Sequence, residues 1–266
     1  MALTEHTLKS GMTLKLAKPR TQERRPAVVV LHERYGIVKH TEDIVERLSQ
    51  DGFVACAPDL FHRFDSDREA LARGDSRADM RDDEALADLD EVLAFLRAEN
   101  CVDREQIGIL GFCQSGRQPL LYAGRRNDVA TIVVAFGGVG KSDWVPTDGH
   151  PDSVADFIKE LSCPVLGLFG EKDHVVAVEE AMRFRDELEA ARKSYRIRVY
   201  RDAPHGWIND TMPGRYRPKT TAESWAELTG FLRETLGTGW DPAHVTWSFE
   251  SDISPGYDFA NNTRLE

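Results

Sequence analysis

Short runs of apolar, mostly β-branched residues alternate along the chain with longer stretches in which apolar positions recur at three- and four-residue steps. The apolar runs cover residues 27–31 (Ala-Val-Val-Val-Leu), 53–57, 107–110, 131–135, 165–169 and 196–200. Most are nearly continuous rather than alternating, which predicts strands covered on both faces, as in a parallel sheet. Residues 13–16 (Thr-Leu-Lys-Leu) do alternate and predict an antiparallel strand at the sheet edge. Helices are predicted over 41–50, 79–98, 114–125, 178–193 and 222–235. The second is the clearest, because Leu86, Leu89, Leu93 and Leu96 form one stripe and the positions between them are largely acidic. The strand–helix alternation implies an α/β fold with a mostly parallel, doubly wound sheet flanked by helices and joined by right-handed crossovers.

The length of 266 residues suits one large domain, assigned to residues 1–236, followed by a tail over 237–266. The tail has no helical periodicity but holds Trp240, Trp247, Phe249, Tyr257 and Phe259. Disordered segments are poor in aromatics, so this tail is expected to dock on its own domain or on a second chain, as in a homodimer. Residues 63–83 are highly charged and are expected to form a solvated excursion. The formal net charge is −11, which argues against nucleic-acid and anionic-membrane partners, since both select basic patches. The first residues show no basic-then-apolar leader, and no apolar run approaches the roughly 20 residues of a membrane span. A cytoplasmic protein is therefore expected. Its four cysteines form no C-x-x-C pair and read as thiols. Cys56, Cys101 and Cys163 fit small buried hydrophobes.

Cys113 does not fit that description. Residues 107–116 read Ile-Gly-Ile-Leu-Gly-Phe-Cys-Gln-Ser-Gly, a strand running straight into small-x-Cys-x-small and then a helix. This is the nucleophile elbow of the α/β-hydrolase fold, whose tight turn needs small residues two before and two after the nucleophile. Gly111 and Ser115 meet that need. The sulfur would sit at a helix N-terminus, where the dipole favours thiolate. The plainer reading is a buried cysteine beside convenient glycines. A nucleophile also needs a base and an orienting acid, which in this fold follow in the order acid, then histidine. Asp173 stands just past one predicted strand and His205, in Pro-His-Gly-Trp, just past another. Singly they could be a helix cap and a turn histidine. In this order Asp173 would fix the tautomer of His205, and His205 would exchange a proton with the sulfur. His174, Glu171 and Asp202 are the competing neighbours.

Acyl transfer further needs backbone N–H groups aimed at the developing oxyanion. The Gln114 amide is the natural first donor, and the Arg34 amide, in the loop Leu-His-Glu-Arg-Tyr-Gly over 31–36, is the second. Glu33 in that loop would repel a thiolate, so it is expected to pair with a cation or to hold the thiol neutral until substrate arrives. A solvent-facing glutamate paired with Arg34 is the bland alternative. Neither a His-x-x-x-His pair nor a glycine-rich phosphate loop appears, so neither metal nor cofactor is expected.

Together the Gly-Phe-Cys113 elbow, the Glu33 loop, Phe136-Gly-Gly-Val-Gly140, Gly-Glu-Lys-Asp173-His and Pro-His205-Gly-Trp resemble the dienelactone hydrolase (carboxymethylenebutenolidase) family, in family order from about residue 27 to residue 232. Cysteine in the elbow is the specific part, since most α/β-hydrolases carry serine there. Residues 211–218 (Thr-Met-Pro-Gly-Arg-Tyr-Arg-Pro) are similar to the family as well. The resemblance implies that Cys113 attacks a lactone or enol-ester carbonyl. It also implies that Glu33 gates thiol ionisation by moving between the cysteine and an arginine. Three departures stand out. The elbow continues Gln-Ser-Gly-Arg rather than Leu-Gly-Gly, which puts Arg117 on the first turn of the elbow helix. Asn209 occupies the position of a family arginine that binds a substrate carboxylate. The aromatic tail lies outside the family pattern. Tyr35, Arg117, Trp207, Asn209 and Arg68 are the substrate-contact candidates, with Arg73 an alternative to Arg68.

The function expected is that of a carboxylic-ester hydrolase of carboxymethylenebutenolidase type, cleaving a small-molecule lactone or activated ester through a cysteinyl thioester. Thiolates expel good leaving groups best, which suits enol lactones better than amides. A non-catalytic binding or assembly module on the same fold is the alternative. A redox role for Cys113 lacks a resolving cysteine nearby.

Overall fold

A computed structural model describes residues 3–237, 240–241 and 243–266. The strands are β1 (Thr4–Thr7), β2 (Thr13–Ala17), β3 (Arg25–Leu31), β4 (Val54–Pro58), β5 (Val102–Phe112), β6 (Thr131–Ala135), β7 (Val165–Lys172), β8 (Tyr195–Pro204) and β9 (Trp247–Ser251). They join one sheet in the order β1-β2-β4-β3-β5-β6-β7-β8-β9. The helices are α1 (Lys39–Gln50), α2 (Arg68–Arg73), α3 (Asp82–Ala98), α4 (Arg117–Arg126), α5 (Val154–Glu160), α6 (Val178–Ala190) and α7 (Pro218–Thr235).

The continuous apolar runs become strands because both faces of the sheet are covered. Val28 and Val30 of β3 pack with Ile44 and Leu48 of α1 and with Leu228 and Leu232 of α7. Val29 and Leu31 face the other way, toward Leu89 and Leu93 of α3, Leu120 of α4 and Phe184 of α6. From β4 to β9 every pairing is parallel. β2 is antiparallel to β4, as its alternation predicts, but it is not the edge: β1 pairs outside it, with Thr4 opposite Leu16. The chain steps from β3 to β4 in one direction and from β5 to β6 in the other. The order therefore reverses between β3 and β5, where open α/β sheets hold their ligands.

Several element ends differ from the sequence pattern for local reasons. α3 begins at Asp82 rather than residue 79, because Arg81 is extended and the Asp82 N–H donates to the Gly149 carbonyl at 3.0 Å. The elbow turns as a short 3-10 segment, Cys113–Gly116, before α4 starts. α6 stops short of residue 193, near Arg192 at φ +55°. α7 starts early, at Pro218, whose missing N–H has no helical partner to lose in a first turn. The charged excursion over 63–83 contains α2, capped by Asp67 accepting the Ala70 N–H at 2.9 Å. Its cations are not simply solvated: Arg63 clamps buried Asp88 at 2.6 and 2.8 Å, and Arg68 pairs with Asp59.

Beyond α7, residues 238, 239 and 242 lie outside the described residues, as do Met1 and Ala2. β9 then runs beside β8 in register from Tyr195 opposite Trp247 to Val199 opposite Ser251. Phe249, Ile253 and Tyr257 pack against the α3–α6 face of the core, while Trp247 and Phe259 are exposed. Among the described residues no helix is long and apolar enough to cross a membrane.

Leu232 is fully buried between α7 and the sheet. Leu232→Ala is expected to cost about 2–5 kcal/mol through lost transfer energy and the cavity left behind. Urea unfolding should show a lower midpoint at unchanged slope.

Candidate active site

β5 delivers Cys113 to the carboxyl edge of the sheet in an unusual backbone state, φ +54°. Close packing enforces it. A Cβ on Gly111 would overlap the Ser115 carbonyl, and one on Gly137, just past β6, would overlap the carbonyl of Cys113 itself. Buried Ser115 then ties the turn to the neighbouring strand. Its Oγ lies 3.0 Å from the Leu31 carbonyl and 2.9 Å from that of Phe112, and it accepts the Phe112 N–H at 3.2 Å. Phe136, also at positive φ (+39°), sets its ring 5.4 Å from that of His205, edge to face.

β7 and β8 bring the partners. His205 Nε2 lies 3.0 Å from Cys113 Sγ, and Nδ1 lies 2.9 Å from Asp173 Oδ2 and 3.1 Å from Oδ1. Asp173 is wholly buried, and its Oδ1 also accepts the N–H groups of Val175 (2.7 Å) and Val176 (3.1 Å). Burial alone would lower the proton affinity of His205. The Asp173 carboxylate and the Cys113 sulfur outweigh it and hold the imidazole well above its ordinary value. The arrangement can pass a proton between sulfur and imidazole with the tautomer fixed from behind.

Cys113 opens onto a cavity of about 720 Å³, which Tyr35, Arg34 and Gln114 also line. The Arg34 amide makes no hydrogen bond among the described residues. Gln114 opens the elbow turn, where first-turn N–H groups have no helical partner. Both proposed oxyanion donors are thus next to the sulfur's cavity. The Arg34 guanidinium turns away, donating to the carbonyls of Gly74 (2.7 Å) and Ser76 (3.2 Å).

Glu33 is neither solvent-facing nor paired with a cation. It is only 3% exposed, and no cation stands within ion-pair distance of it among the described residues, Arg34 included. Its Oε2 accepts from Asn209 Nδ2 at 3.1 Å, and its buried Oε1 has no hydrogen-bond partner among the described residues. His32, which the sequence pattern did not single out, steadies this loop through Nδ1 to the Glu33 carbonyl (2.8 Å) and Nε2 to the Leu60 N–H (3.1 Å). Burial lowers its proton affinity, so it serves as a neutral strut.

The substrate-contact candidates other than Tyr35 are held elsewhere or already engaged. Asn209 is buried against Glu33 and does not line the cavity. Trp207 is fully buried, with Nε1 donating to Ser224 Oγ at 3.1 Å and its ring against Phe136. Arg68 is held by Asp59 and the Phe61 carbonyl, away from the cavity; Arg73 pairs with Asp75 and lies away too. Arg117 reaches the cavity wall but is committed, clamping Asp82 at 3.0 and 2.8 Å and donating to the Asp152 carbonyl at 2.6 Å. His150 closes this cluster, Nδ1 to Asp82 at 2.8 Å. Of the competitors for the triad, His174 lines the cavity with its ring 5.4 Å from His205, and burial lowers its proton affinity. Glu171 is engaged by the Asp202 and Ser254 amides, and Asp202 is exposed. The pattern missed Arg77, Arg215 and Arg264, which also line the cavity. Arg215 lies in the 211–218 stretch noted for its resemblance; nothing in the sequence pointed to Arg264.

With this geometry established, comparison with known proteins defines the class. The model of the dienelactone hydrolase family matches residues 12–236, and the chain belongs to that family. A Salmonella typhimurium protein named "Putative carboxymethylenebutenolidase" is 32% identical over 227 residues, spanning 83% of this chain and 82% of that protein. A Bradyrhizobium protein named "Probable 2-oxo-3-(5-oxofuran-2-ylidene)propanoate lactonase" is 29% identical, spanning 82% of this chain and 87% of its own length. A solved structure described as a putative dienelactone hydrolase from Klebsiella pneumoniae superposes with a TM-score of 0.76 at 27% identity, covering 87% of this chain and 98% of that one. The expected α/β-hydrolase fold and carboxylic-ester hydrolase class both stand with this membership.

Two predictions follow from the geometry. Burial pushes the thiols of Cys56 and Cys163 up to about 12, whereas Cys113 faces a cavity beside a histidine. Iodoacetamide at neutral pH should alkylate Cys113 well before those two, read by peptide mass spectrometry. Separately, the hydrogen bond that the His150 imidazole gives to the Asp82 carboxylate raises its proton affinity above the ordinary value of 6.5. Its charged form therefore adds stability that is full below that value and fades as pH rises through the raised one. The stability gap between wild type and His150→Ala should shrink from pH 6 to pH 9.

Proposed function

We propose that the chain hydrolyses a lactone or activated enol ester through a thioester on Cys113. The observation that carries this reading is the continuous linkage from Asp173 through His205 to the Cys113 sulfur, at 2.9 and 3.0 Å, opening onto the cavity. Sγ attacks the carbonyl carbon as thiolate, with its proton on His205. The carbonyl oxygen takes the negative charge beside the Gln114 and Arg34 amides. Collapse breaks the acyl C–O bond, and the leaving oxygen takes the proton from His205 Nε2. Water, deprotonated by His205, then adds to the thioester. The C–S bond breaks, releasing the acid and returning the sulfur to its starting state.

The substrate class draws support from the relatives. The Bradyrhizobium relative is named for a substrate with both a furanylidene lactone ring and a carboxylate. A thiolate expels such an enol oxygen readily. The unpaired state of all four cysteines supports a reducing, cytoplasmic setting. A non-catalytic module would leave the strained elbow and the oriented imidazole without a use.

Cys113→Ala should abolish turnover of 4-nitrophenyl acetate and of a lactone panel while melting like wild type. Stopped-flow quench of wild type should trap an acyl adduct on the peptide carrying Cys113. Turnover persisting in Cys113→Ala would sink the mechanism.

A further inference from the structure

Glu171 is a wholly buried carboxylate that the chemistry at Cys113 does not use. N–H and O–H donors hold it. Its Oε2 accepts the Asp202 N–H at 3.0 Å and the Ser254 hydroxyl at 3.2 Å, and its Oε1 accepts the Ser254 N–H. Burial alone would raise its proton affinity, but these donors outweigh it and keep the group below its ordinary value. The residue stands between the two loops that carry Asp173 and His205. Asp202, a little before His205 on β8, is at φ +54°. The β7–β8 register breaks between Gly170 and Lys172, and a Cβ on Gly170 would overlap the Ala203 carbonyl at 2.3 Å. The bond from Asp202 to Glu171 spans this irregular step.

The other partner of Glu171 comes from beyond residues 12–236, the stretch matched by the family. After β9 the Asp252 N–H donates to the Val199 carbonyl at 3.1 Å, and Arg201 pairs with Asp252 at 2.7 Å. Ser254 then reaches Glu171. Tyr257 Oη accepts the Val178 N–H at 3.0 Å, where α6 begins. A short turn, Phe259–Asn261, is capped by Asp258 accepting the Ala260 N–H at 3.0 Å. It presents Asn262, whose Nδ2 donates to the carbonyls of Glu171 (2.8 Å) and Asp173 (2.9 Å). The side chains of Ser254, Tyr257 and Asn262 thus all bind the stretch over 171–179 that carries Asp173.

We propose that Asn262 and Glu171 are positioning residues for the hydrolysis, setting the Asp173 carboxylate against His205 Nδ1 so that the segment past β9 acts on the sulfur through the imidazole. The role rests on the hydrolase reading of Cys113 and adds to it a determinant from outside the family-matched stretch. Asp173 orients the imidazole, and the imidazole faces the sulfur. With the Asn262 amide gone, two carbonyls of the Asp173 loop lose their donor and the loop is free to shift. A displacement of about 1 Å in groups that must align can cost about 10²-fold in rate. Neither Asn262 nor Glu171 lines the cavity, so the loss falls on turnover rather than on binding.

The test uses the full chain and 4-nitrophenyl acetate, at a temperature where each variant is folded by circular dichroism. Asn262→Leu keeps the side-chain volume and removes the donor. It should lower kcat about ten- to hundredfold, with KM within about twofold of wild type. Ser254→Ala removes one of the three donors to Glu171 and should lower kcat by less; it carries the test if Asn262→Leu does not fold. Asn262→Leu and Glu171→Gln combined should lose less than the product of their separate effects, because both act on one loop. Two further readouts do not need turnover. The Asp173 carboxylate raises the proton affinity of His205, and an imidazole that loses this contact supports the thiolate less. The pH midpoint of Cys113 alkylation by iodoacetamide should therefore move up in Asn262→Leu. The other groups facing His205 are Cys113, His174 and, beside Gly206, Glu33 and Arg215; the substitution leaves all of them in place. The downfield proton resonance of His205 Nδ1–H should broaden or vanish. A segment that only stabilises the fold would lower the melting temperature and leave kcat, the alkylation midpoint and the resonance as in wild type, which would overturn the proposal. Failure of the hydrolase reading looks different: Cys113→Ala would retain turnover, while Asn262→Leu would still move the alkylation midpoint.

Discussion

The site depends on one backbone constraint, the left-handed conformation of Cys113. A residue with a side chain held at φ +54° costs on the order of 1–3 kcal/mol and persists only where its surroundings over-determine it. Three contacts do so here. Gly111 lets the Ser115 carbonyl approach from below, Gly137 lets the Cys113 carbonyl press against the loop after β6, and Ser115 Oγ binds the end of β3. The result points the sulfur away from the sheet at the place where the strand order reverses. The loops after β7 and β8 need only reach that point, and the Asp173–His205 linkage follows from it.

The polar partners around the sulfur are fixed from outside the Asp173–His205–Cys113 linkage. Asp173 is oriented by two loop amides as well as by His205, so its carboxylate cannot rotate away without losing three hydrogen bonds. His205 is backed by the ring of Phe136, itself held at positive φ where β6 ends. Opposite them, Arg117 and Asp82 form a buried ion pair closed by His150, which braces the start of α3 against the start of α4. Such a pair contributes little to net stability by itself. Its consequence is geometric: the cavity wall beside the elbow is rigid, and its cation is already neutralised.

Most of this core was legible in the chain because it is written in short motifs. Gly-Phe-Cys113-Gln-Ser, Asp173 and Pro-His205-Gly each sit at the end of an apolar run, so strand periodicity alone predicts that they meet at one edge. The sheet strands were legible for the same reason, since burial on both faces leaves a continuous apolar signature. Residues whose role comes from tertiary contact were not. Arg68 and Arg117 read as free cations, but each finds a carboxylate, Asp59 or Asp82, that no spacing rule connects to it. Trp207 follows the histidine, yet it turns under the sheet toward Ser224 of α7. α2 and α5 are too short for a period to show, and their caps alone mark them. Arg264 is more than 50 residues from any catalytic motif and reaches the cavity only because Asn262 binds the β7 loop.

Glu33 is a buried carboxylate with a neutral partner: Asn209 donates to Oε2, and Oε1 has no hydrogen-bond partner among the described residues. A buried carboxylate oxygen left unpaired is costly and calls for a specific cause. A Cβ on Gly206 would stand 3.5 Å from Glu33 Oε1 and 3.8 Å from Arg215 Nη1, so the glycine lies between this carboxylate and a buried cation. Arg215 is turned instead to Tyr35, the Leu265 carbonyl and Glu266. The buried carboxylate and the buried cation thus take their partners from different places, Asn209 for Glu33 and, in part, the segment past β9 for Arg215. The charged groups of the cavity wall are therefore partnered jointly by the hydrolase core and by that segment.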